Sequence, residues 1–406
     1  MNLLIDFITV SKKTGAGEYH RRVFNTLMSY IESNRLEVTV FALWDSTKGI
    51  AYSDMQEKVL SEKYSICYID IAKLSLLQII DKYKIDKFFI TCSHYIGNYV
   101  GIEEIKCNVV CVVHDICDEE FEDNFLHEYV QFDKSGFYFD SKRDKGWKVC
   151  LNIKSPTIKY CRWLIGKRRR GVYNDRMHHI CGLLKNNPNA RLISVSEYTK
   201  NSIIYYFNIP ANRIAVRFSP ERCISSESSQ IDNSQLKQVV LSNVKYYLMV
   251  GANRNSKNPR KMIRVFRKFA ELYPDSYLVT LGYPKSEFKN HIALPFLSDS
   301  DLLHAYKHCY AFLYPSLFEG FGYPPVEAMK WGKPVLASNV TSIPEILGTA
   351  VIYFSPFYSS DIFRALRVLN AENYQEYSML ARSQYDYVHK IQEQHLVELI
   401  QQVIKI

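Results

Sequence analysis

Apolar runs alternate with stretches of helical periodicity along nearly the whole chain, and this alternation restricts the fold more than any other feature. LLIDFITV reads as a strand, and Tyr19, Val23, Leu27 and Ile31 then recur every four residues, one face of a helix. LEVTVFAL has period two, SLLQIIDKYKI reads as helix, and KFFITCS, NVVCVVHD and RLISVS read as strands, the last followed by the helix EYTKNSIIYYF. The pattern lapses from Ser219 to Gln235, a polar, Ser-rich stretch that reads as a surface loop near a domain junction. It then restarts. YYLMVG, SYLVTLG, AFLYPS, KPVLAS and AVIYFS read as strands with helices between them, and the chain is helical from about Asn373. In the helix NPRKMIRVFRKFAELY, Asn258 is placed to cap and Pro259 to take the first helical position.

Strands that alternate with helices imply a parallel sheet covered on both faces. Two such series in 406 residues imply two doubly wound α/β domains facing a central cleft. The expected division is a first doubly wound domain at 1–218, a linker at 219–244, a second doubly wound domain at 245–385, and a C-terminal helix at 386–406 packing back on the first domain.

Composition removes several classes. Hydrophobic residues make up 47%, which supports a large core and excludes a disordered chain. No uncharged apolar run reaches the roughly 18 residues a spanning helix needs. At the N-terminus the charges follow the apolar run, the reverse of a secretory signal. Ten cysteines scattered without a C-x-x-C pair suit reduced thiols in a cytosol better than a disulfide frame or a zinc site. A net charge of +9 points to an anionic partner: nucleic acid, membrane surface or phosphorylated small molecule.

The stretch LFEGFGYPPVEAMKWGKP, Leu317 to Pro334, carries most of the chemistry. AFLYPS is a buried strand, Pro324-Pro325 begins the next helix, and Gly332 ends it. Glu319-Gly320-Phe321-Gly322 is therefore a strand-to-helix loop on the ligand side of a sheet. Its glycines let backbone N–H groups approach a ligand, and the helix N-terminus behind them suits phosphate. Glu327 is read in the first helical turn. Two carboxylates framing a phosphate-binding loop suit hydroxyl donors on either side of it, the pattern of a nucleotide-sugar: sugar hydroxyls, diphosphate, ribose hydroxyls. Either glutamate alone reads equally well as a cap or an exposed loop residue.

This stretch resembles the donor-site motif of the retaining glycosyltransferases of family 4, which have the GT-B fold. Similar segments flank it: YYLMVGANRNSKNPRKMIRVFRKF, HIALPFLSDSDLLHAYKHCYAFLYPS (the family's "sd-x-x-L-x-x-x-Y" helix) and SIPEILGTAVIYFSP. In the first half, TGAGEYHRRVF, VVHDI and LISVSEYTKNSI resemble family segments more weakly. The resemblance implies that Glu319 lies near the transferred sugar and Glu327 on the ribose. Gly320, Phe321 and Gly322 would offer backbone amides. Lys257, in a donor loop with Gly251 and Asn253, would neutralise the diphosphate. Members often carry Arg directly after the glycine of that loop. Here the position is Ala252, and Arg254 is the nearby substitute. Without the resemblance, Lys257 reads as an ordinary solvated charge.

His114 ends the buried strand Val109 to Val113; a lone histidine is more often structural, and the resemblance gives it positioning or electrostatic work at the cleft. Gly15 and Gly17 are read as a strand-to-helix loop approaching acceptor or diphosphate, with Glu18 and Tyr19 as packing and capping residues. No D-x-D pattern reads as a cation site. No metal or cofactor is expected, and the nucleotide-sugar enters as substrate.

The implied activity is transfer of a sugar from a nucleotide-diphosphate donor, GDP-mannose or a UDP-sugar, to a glycan or lipid-linked glycan, with retention, in surface polysaccharide synthesis. A sugar phosphorylase or nucleotide-sugar epimerase would share the fold. KRRRG at Lys167 to Gly171 raises nucleic-acid binding as a rival of another class, disfavoured because the aromatic residues sit mostly in strand and core patterns. Gly146 to Asn174 holds eight Lys/Arg and no Asp or Glu, and Lys167, Arg168, Arg169 and Arg170 follow Trp163, Leu164 and Ile165. That juxtaposition suits an anionic bilayer surface or membrane-near acceptor as well as it suits a solvated helix face. The expected location is cytoplasmic, peripheral on the inner face of the membrane.

Overall fold

A computed structural model describes residues 1–7, 15–48, 64, 66–117, 176–222 and 230–405. The first half holds a seven-stranded sheet of β1 (Asn2–Asp6), β2 (Thr39–Trp44), β3 (Ile66–Asp70), β4 (Lys87–Ile90), β5 (Asn108–Val113), β6 (Ala190–Ser194) and β7 (Ile214–Val216), in the order β3-β2-β1-β4-β5-β6-β7. Helices α1 (Gly15–Ser33), α2 (Leu76–Lys82) and α3 (Glu197–Phe207) cover it, with a further helical stretch at 176–186.

The second half opens with α4 (Ser234–Leu241). Its six-stranded sheet is built of β8 (Lys245–Met249), β9 (Ser276–Leu281), β10 (His291–Leu294), β11 (Ala311–Tyr314), β12 (Val335–Ser338) and β13 (Ile352–Phe354), in the order β10-β9-β8-β11-β12-β13. Helices α5 (Pro259–Leu272), α6 (Asp299–His308), α7 (Tyr323–Lys330), α8 (Ile343–Leu347), α9 (Ser359–Val368) and α10 (Tyr374–Ile404) complete it. Every strand pair in both sheets is parallel. Central strands such as β5 and β11 are almost wholly buried, as helices on both faces require.

Local chemistry sets the helix starts. Ser75 and Gln78 form a capping box at α2, Ser196 accepts from the Thr199 N–H at α3, and Ser298 accepts from the Asp301 N–H at α6. Asn258 departs from expectation. It stands at the cap position of α5 but in the left-handed conformation (φ 56°), and its amide donates to the Pro356 carbonyl at 3.1 Å instead of capping.

Other corrections concern boundaries. The stretch read as linker at 219–244 contains α4, whose Leu236 and Val239 are buried in the core. The division at 385/386 falls inside a single helix, α10. Its early part packs against α7, where the Ser378 hydroxyl donates to the Gly332 carbonyl at 2.7 Å. Its later part reaches the first half, through Arg22–Glu393 at 3.0 Å and the Lys87 ammonium on the Gln402 carbonyl at 3.1 Å. Gly15 and Gly17 lie within the first turn of α1 rather than in a loop before it. Glu327 lies in the second turn of α7, not the first.

Candidate functional site

In each sheet the strand order reverses once, between β1 and β4 and between β8 and β11. The crevice beyond the carboxyl ends of such a pair is where doubly wound sheets bind ligands. The loops after β8 and β11 meet there, tied by the Leu317 N–H on the Ser256 carbonyl at 2.7 Å.

The loop after β8 turns at Gly251 (φ 75°), makes a single 3₁₀ turn over Asn255–Lys257, and leads into α5. Lys257 is 6% exposed, and its ammonium donates to the Tyr314 hydroxyl at 3.0 Å and to the Glu319 carboxylate. Burial pulls the ammonium below the usual lysine range, and the Glu319 charge works against that pull. The Ser316 hydroxyl donates to the same Glu319 oxygen, Oε1. The backbone of Glu319 is held as well: its N–H donates to the Thr341 hydroxyl at 3.1 Å, and its carbonyl accepts from the Ser342 hydroxyl at 2.9 Å. Glu319 and Lys257, 62 positions apart in sequence, are thus one unit.

Gly322 has φ 95°, and a Cβ there would lie 3.1 Å from the Tyr314 hydroxyl. Only glycine meets both demands without strain. The Phe321 ring is buried in the core. It packs on Phe218 (centroids 5.5 Å) and Tyr323 (5.6 Å), so only its backbone can serve a ligand. Glu327 is fixed separately. Its Oε2 accepts from the Tyr306 hydroxyl at 2.7 Å, and its Oε1 lies 3.3 Å from Arg222 Nε. Asn253 and Arg254 are exposed at the mouth of the Lys257 loop, and the Arg254 charge is felt by both Lys257 and Tyr314.

The first half contributes His114. Its Nε2–H donates to the Thr91 carbonyl at 3.0 Å, and the ring stands edge-on to Tyr19 at 4.7 Å. Burial holds this imidazole neutral, down to about 4, with the nearby His94 charge adding to the effect. Burial alone would also lower His94, but the Asp115 carboxylate 3.6 Å from its Nε2 and Cys92 Sγ 3.4 Å from its Nδ1 raise it to about 10. The His114 carbonyl and Asp115 Cβ face Gly320, so the two halves touch at this point. Gly15 at the start of α1 lies over the Tyr323 ring, a Cβ there being 3.6 Å away. Gly17 is buried.

The structure therefore brings together Lys257, Glu319, Gly320, Gly322 and His114, with Glu327 one and a half turns into α7. Lys167 to Arg170 lie outside the described residues. Among the described residues no group of three or more His, Cys, Asp or Glu side chains is placed to hold a metal ion, and no helix is long and apolar enough to cross a membrane. Sequence reading missed Tyr306, Tyr314, Ser316 and Arg222. Tyr306 had a signal, as the closing tyrosine of the "sd-x-x-L-x-x-x-Y" pattern. Arg222 had none, since only the tertiary fold carries it to Glu327.

A solved structure of Anabaena Alr3699/HepE in complex with UDP superposes on 98% of this chain and 99% of its own, with a TM-score of 0.62 and 13% identity. The fold is GT-B. Within it, residues 231–375 match the family model described as glycosyl transferases group 1. Two curated relatives from Escherichia coli are similar in sequence. The serotype-specific mannosyltransferase WbdA is 26% identical over 240 residues, 53% of this chain and 29% of that protein. O-antigen chain mannosyltransferase B is 30% identical over 192 residues, 41% of this chain and 47% of that protein. The chain thus spans less than half the length of these relatives. The family match covers the GT-B half that holds Lys257, Glu319 and Glu327.

Proposed function

We propose that this chain is a retaining hexosyltransferase that moves a sugar, mannose in the first instance, from a nucleotide-diphosphate donor to a glycan or lipid-linked glycan in surface polysaccharide synthesis. The observation that carries the reading is the Lys257–Glu319 pair at the β8/β11 switch point, below the N-terminus of α7 and against the first half at His114. The family match over 231–375 and the mannosyltransferase relatives support the choice of reaction.

In this reading the donor diphosphate lies over Gly320–Gly322 at the α7 N-terminus, and Glu319 Oε2 accepts from a sugar hydroxyl while Oε1 holds Lys257. As the glycosidic bond breaks, its electron pair stays on the leaving phosphate. Lys257, Arg254 and the α7 N-terminus stabilise that gained charge more than they stabilise the ground state. The acceptor hydroxyl attacks the oxocarbenium-like carbon from the face the diphosphate leaves, and its proton passes to the leaving phosphate oxygen. Neutral His114, whose Nε2–H is already committed to Thr91, positions rather than titrates. No metal enters these steps. Glu327 receives the ribose hydroxyls. The enzyme works at the cytoplasmic face of a membrane.

The test is a thermal-shift screen against GDP-, UDP-, dTDP- and ADP-sugars, followed by transfer assays of wild type and Glu319→Gln with the donor found. The variant is expected to lose on the order of 10²-fold in transfer, the size of one strong transition-state contact, while still binding nucleotide diphosphate. Near-full activity of Glu319→Gln would remove it from the donor site.

A further inference from the structure

Glu327 is an almost buried carboxylate, its side chain 11% exposed; the Tyr306 hydroxyl donates to Oε2 at 2.7 Å, and Arg222 Nε pairs with Oε1 at 3.3 Å as an ion pair without a hydrogen bond. Oε2 so engaged keeps a second lone pair for a ligand hydroxyl, and Oε1 accepts no hydrogen bond from the protein. Arg222 does not belong to the second sheet. It sits in the segment that joins the two halves, and the described residues just before it, 218–221, are fixed along α10. The Phe218 N–H donates to His395 Nδ1 at 2.9 Å, and the Ser219 carbonyl accepts from Gln392 at 2.6 Å. Glu221 meets Lys330 at 2.9 Å, Tyr385 at 3.0 Å and His389 at 3.2 Å. From this anchored strap the Arg222 guanidinium, 18% exposed, spans from Glu327 to Asp299 Oδ1 at 3.0 Å.

We infer that Arg222 is a positioning residue: it aims the Glu327 carboxylate at the hydroxyls of the nucleotide ribose, so the inter-domain strap takes part in donor recognition. This rests on the donor-site reading above. Without Arg222, a carboxylate with little access to water keeps one neutral donor and loses its only close cation among the described residues. A planar guanidinium held at both ends restricts orientation in a way that bulk charge does not. Charge-assisted hydrogen bonds to ribose hydroxyls depend on that orientation.

The experiment measures, by calorimetry, the affinity of GDP and UDP and of their 2′,3′-dideoxy counterparts for wild type, Arg222→Gln, Arg222→Lys and Glu327→Gln. For the nucleotide that binds, wild type is expected to prefer the ribo form by about tenfold or more, and Glu327→Gln to bring that preference close to unity. Arg222→Gln is expected to reduce the preference by roughly fivefold with the dideoxy affinity nearly unchanged, and Arg222→Lys to recover part of it. Equal weakening of ribo and dideoxy forms by Arg222→Gln, or no change, would overturn the inference while leaving Glu327 in place. An unchanged preference in Glu327→Gln, or no nucleotide binding by wild type, would instead overturn the donor-site reading and the inference with it. Should Arg222→Gln fail to fold, Arg222→Lys carries the test: a ribo preference below that of wild type is expected, and one equal to it would overturn the inference.

Discussion

The carbonyl oxygen of His114 lies so close to Gly320 that a Cβ on that glycine would sit 1.8 Å from it, with Asp115 Cβ 3.2 Å away. His114 follows β5 of the first sheet, and Gly320 lies in the loop after β11 of the second. The carboxyl ends of the two sheets therefore meet at a point where only a glycine fits. A backbone oxygen cannot rotate aside as a flexible side chain can.

Gly320→Ala is accordingly expected to force the halves apart at this contact. A shift of that kind, about 1 Å at a reacting centre, costs on the order of 10²-fold in kcat. Nucleotide diphosphate affinity should fall by a smaller factor, because Lys257 and Glu327 stay in place while the Gly320 part of the diphosphate cradle is displaced. Steady-state kinetics together with calorimetry check this, and a variant with wild-type kcat would mean that the His114–Gly320 contact is not made during turnover.

Removing the charge of Lys257 should strike the same step from the other side. Lys257→Gln keeps much of the length and can still donate to Glu319, yet supplies no charge to the leaving diphosphate. Transfer is expected to fall by roughly 10²- to 10³-fold. EDTA should leave wild-type activity intact, and NMR of the product should show the donor's anomeric configuration retained. Strict dependence on Mg²⁺ or Mn²⁺, or inversion, would rule out the proposed mechanism.

Buried histidines, His20 and His291 together with His114, set an acid limit to stability. Burial lowers His20 to about 3 and His291 to about 4, with Arg21 and Arg267 adding to the effect. His20 Nδ1 lies 2.9 Å from the Thr91 hydroxyl; His291 Nδ1 accepts from the Glu287 N–H at 3.0 Å, with Nε2 2.9 Å from the Thr280 hydroxyl. Below about pH 6.5 the unfolded chain binds protons that these native rings refuse. Stability should therefore fall as pH drops from 6.5 toward 4, by about 1.4 kcal/mol per pH unit per group as an upper figure. His94, raised by its partners, acts in the opposite sense, its contribution being complete below 6.5 and lost toward 10. Thermal melts between pH 7.5 and 5 check the slope, which His291→Gln should make shallower. An equal slope in that variant would exclude His291 as a source.

The basic cluster gives a prediction of another kind. Lys167, Arg168, Arg169 and Arg170 next to Trp163, Leu164 and Ile165 suit an anionic bilayer, at about 1 kcal/mol per basic residue. Wild type is expected to co-sediment with liposomes containing anionic lipid and not with neutral ones. Changing the four basic residues to Ser should abolish the binding. Equal binding by both proteins, or none by either at low salt, would point to an acceptor free in solution.

The strands and helices of both sheets were legible where burial is complete. β5 and β11 read as strands because a parallel sheet covered on both faces needs unbroken apolar runs. β3, β7 and β10 were missed, and all three are edge strands, where exposure weakens the apolar pattern. Loop chemistry was legible where backbone conformation demands a residue type, as at Gly322 and Gly332. Sequence by itself thus determined two doubly wound halves and a Gly-rich loop bearing Glu319 ahead of a Pro-initiated helix, because periodicity and φ preferences are local. The tertiary structure decided which charges are partners. Lys257 meets Glu319 across two loops, Arg222 reaches Glu327 from the inter-domain strap, and Glu345 of α8 accepts the Glu197 and Tyr198 N–H groups at 2.7 and 2.9 Å, tying the second half to the start of α3. The reason is physical: a buried charge requires a counter-charge or donors, but nothing in the spacing of a chain says which distant residue supplies them until the sheets close on each other.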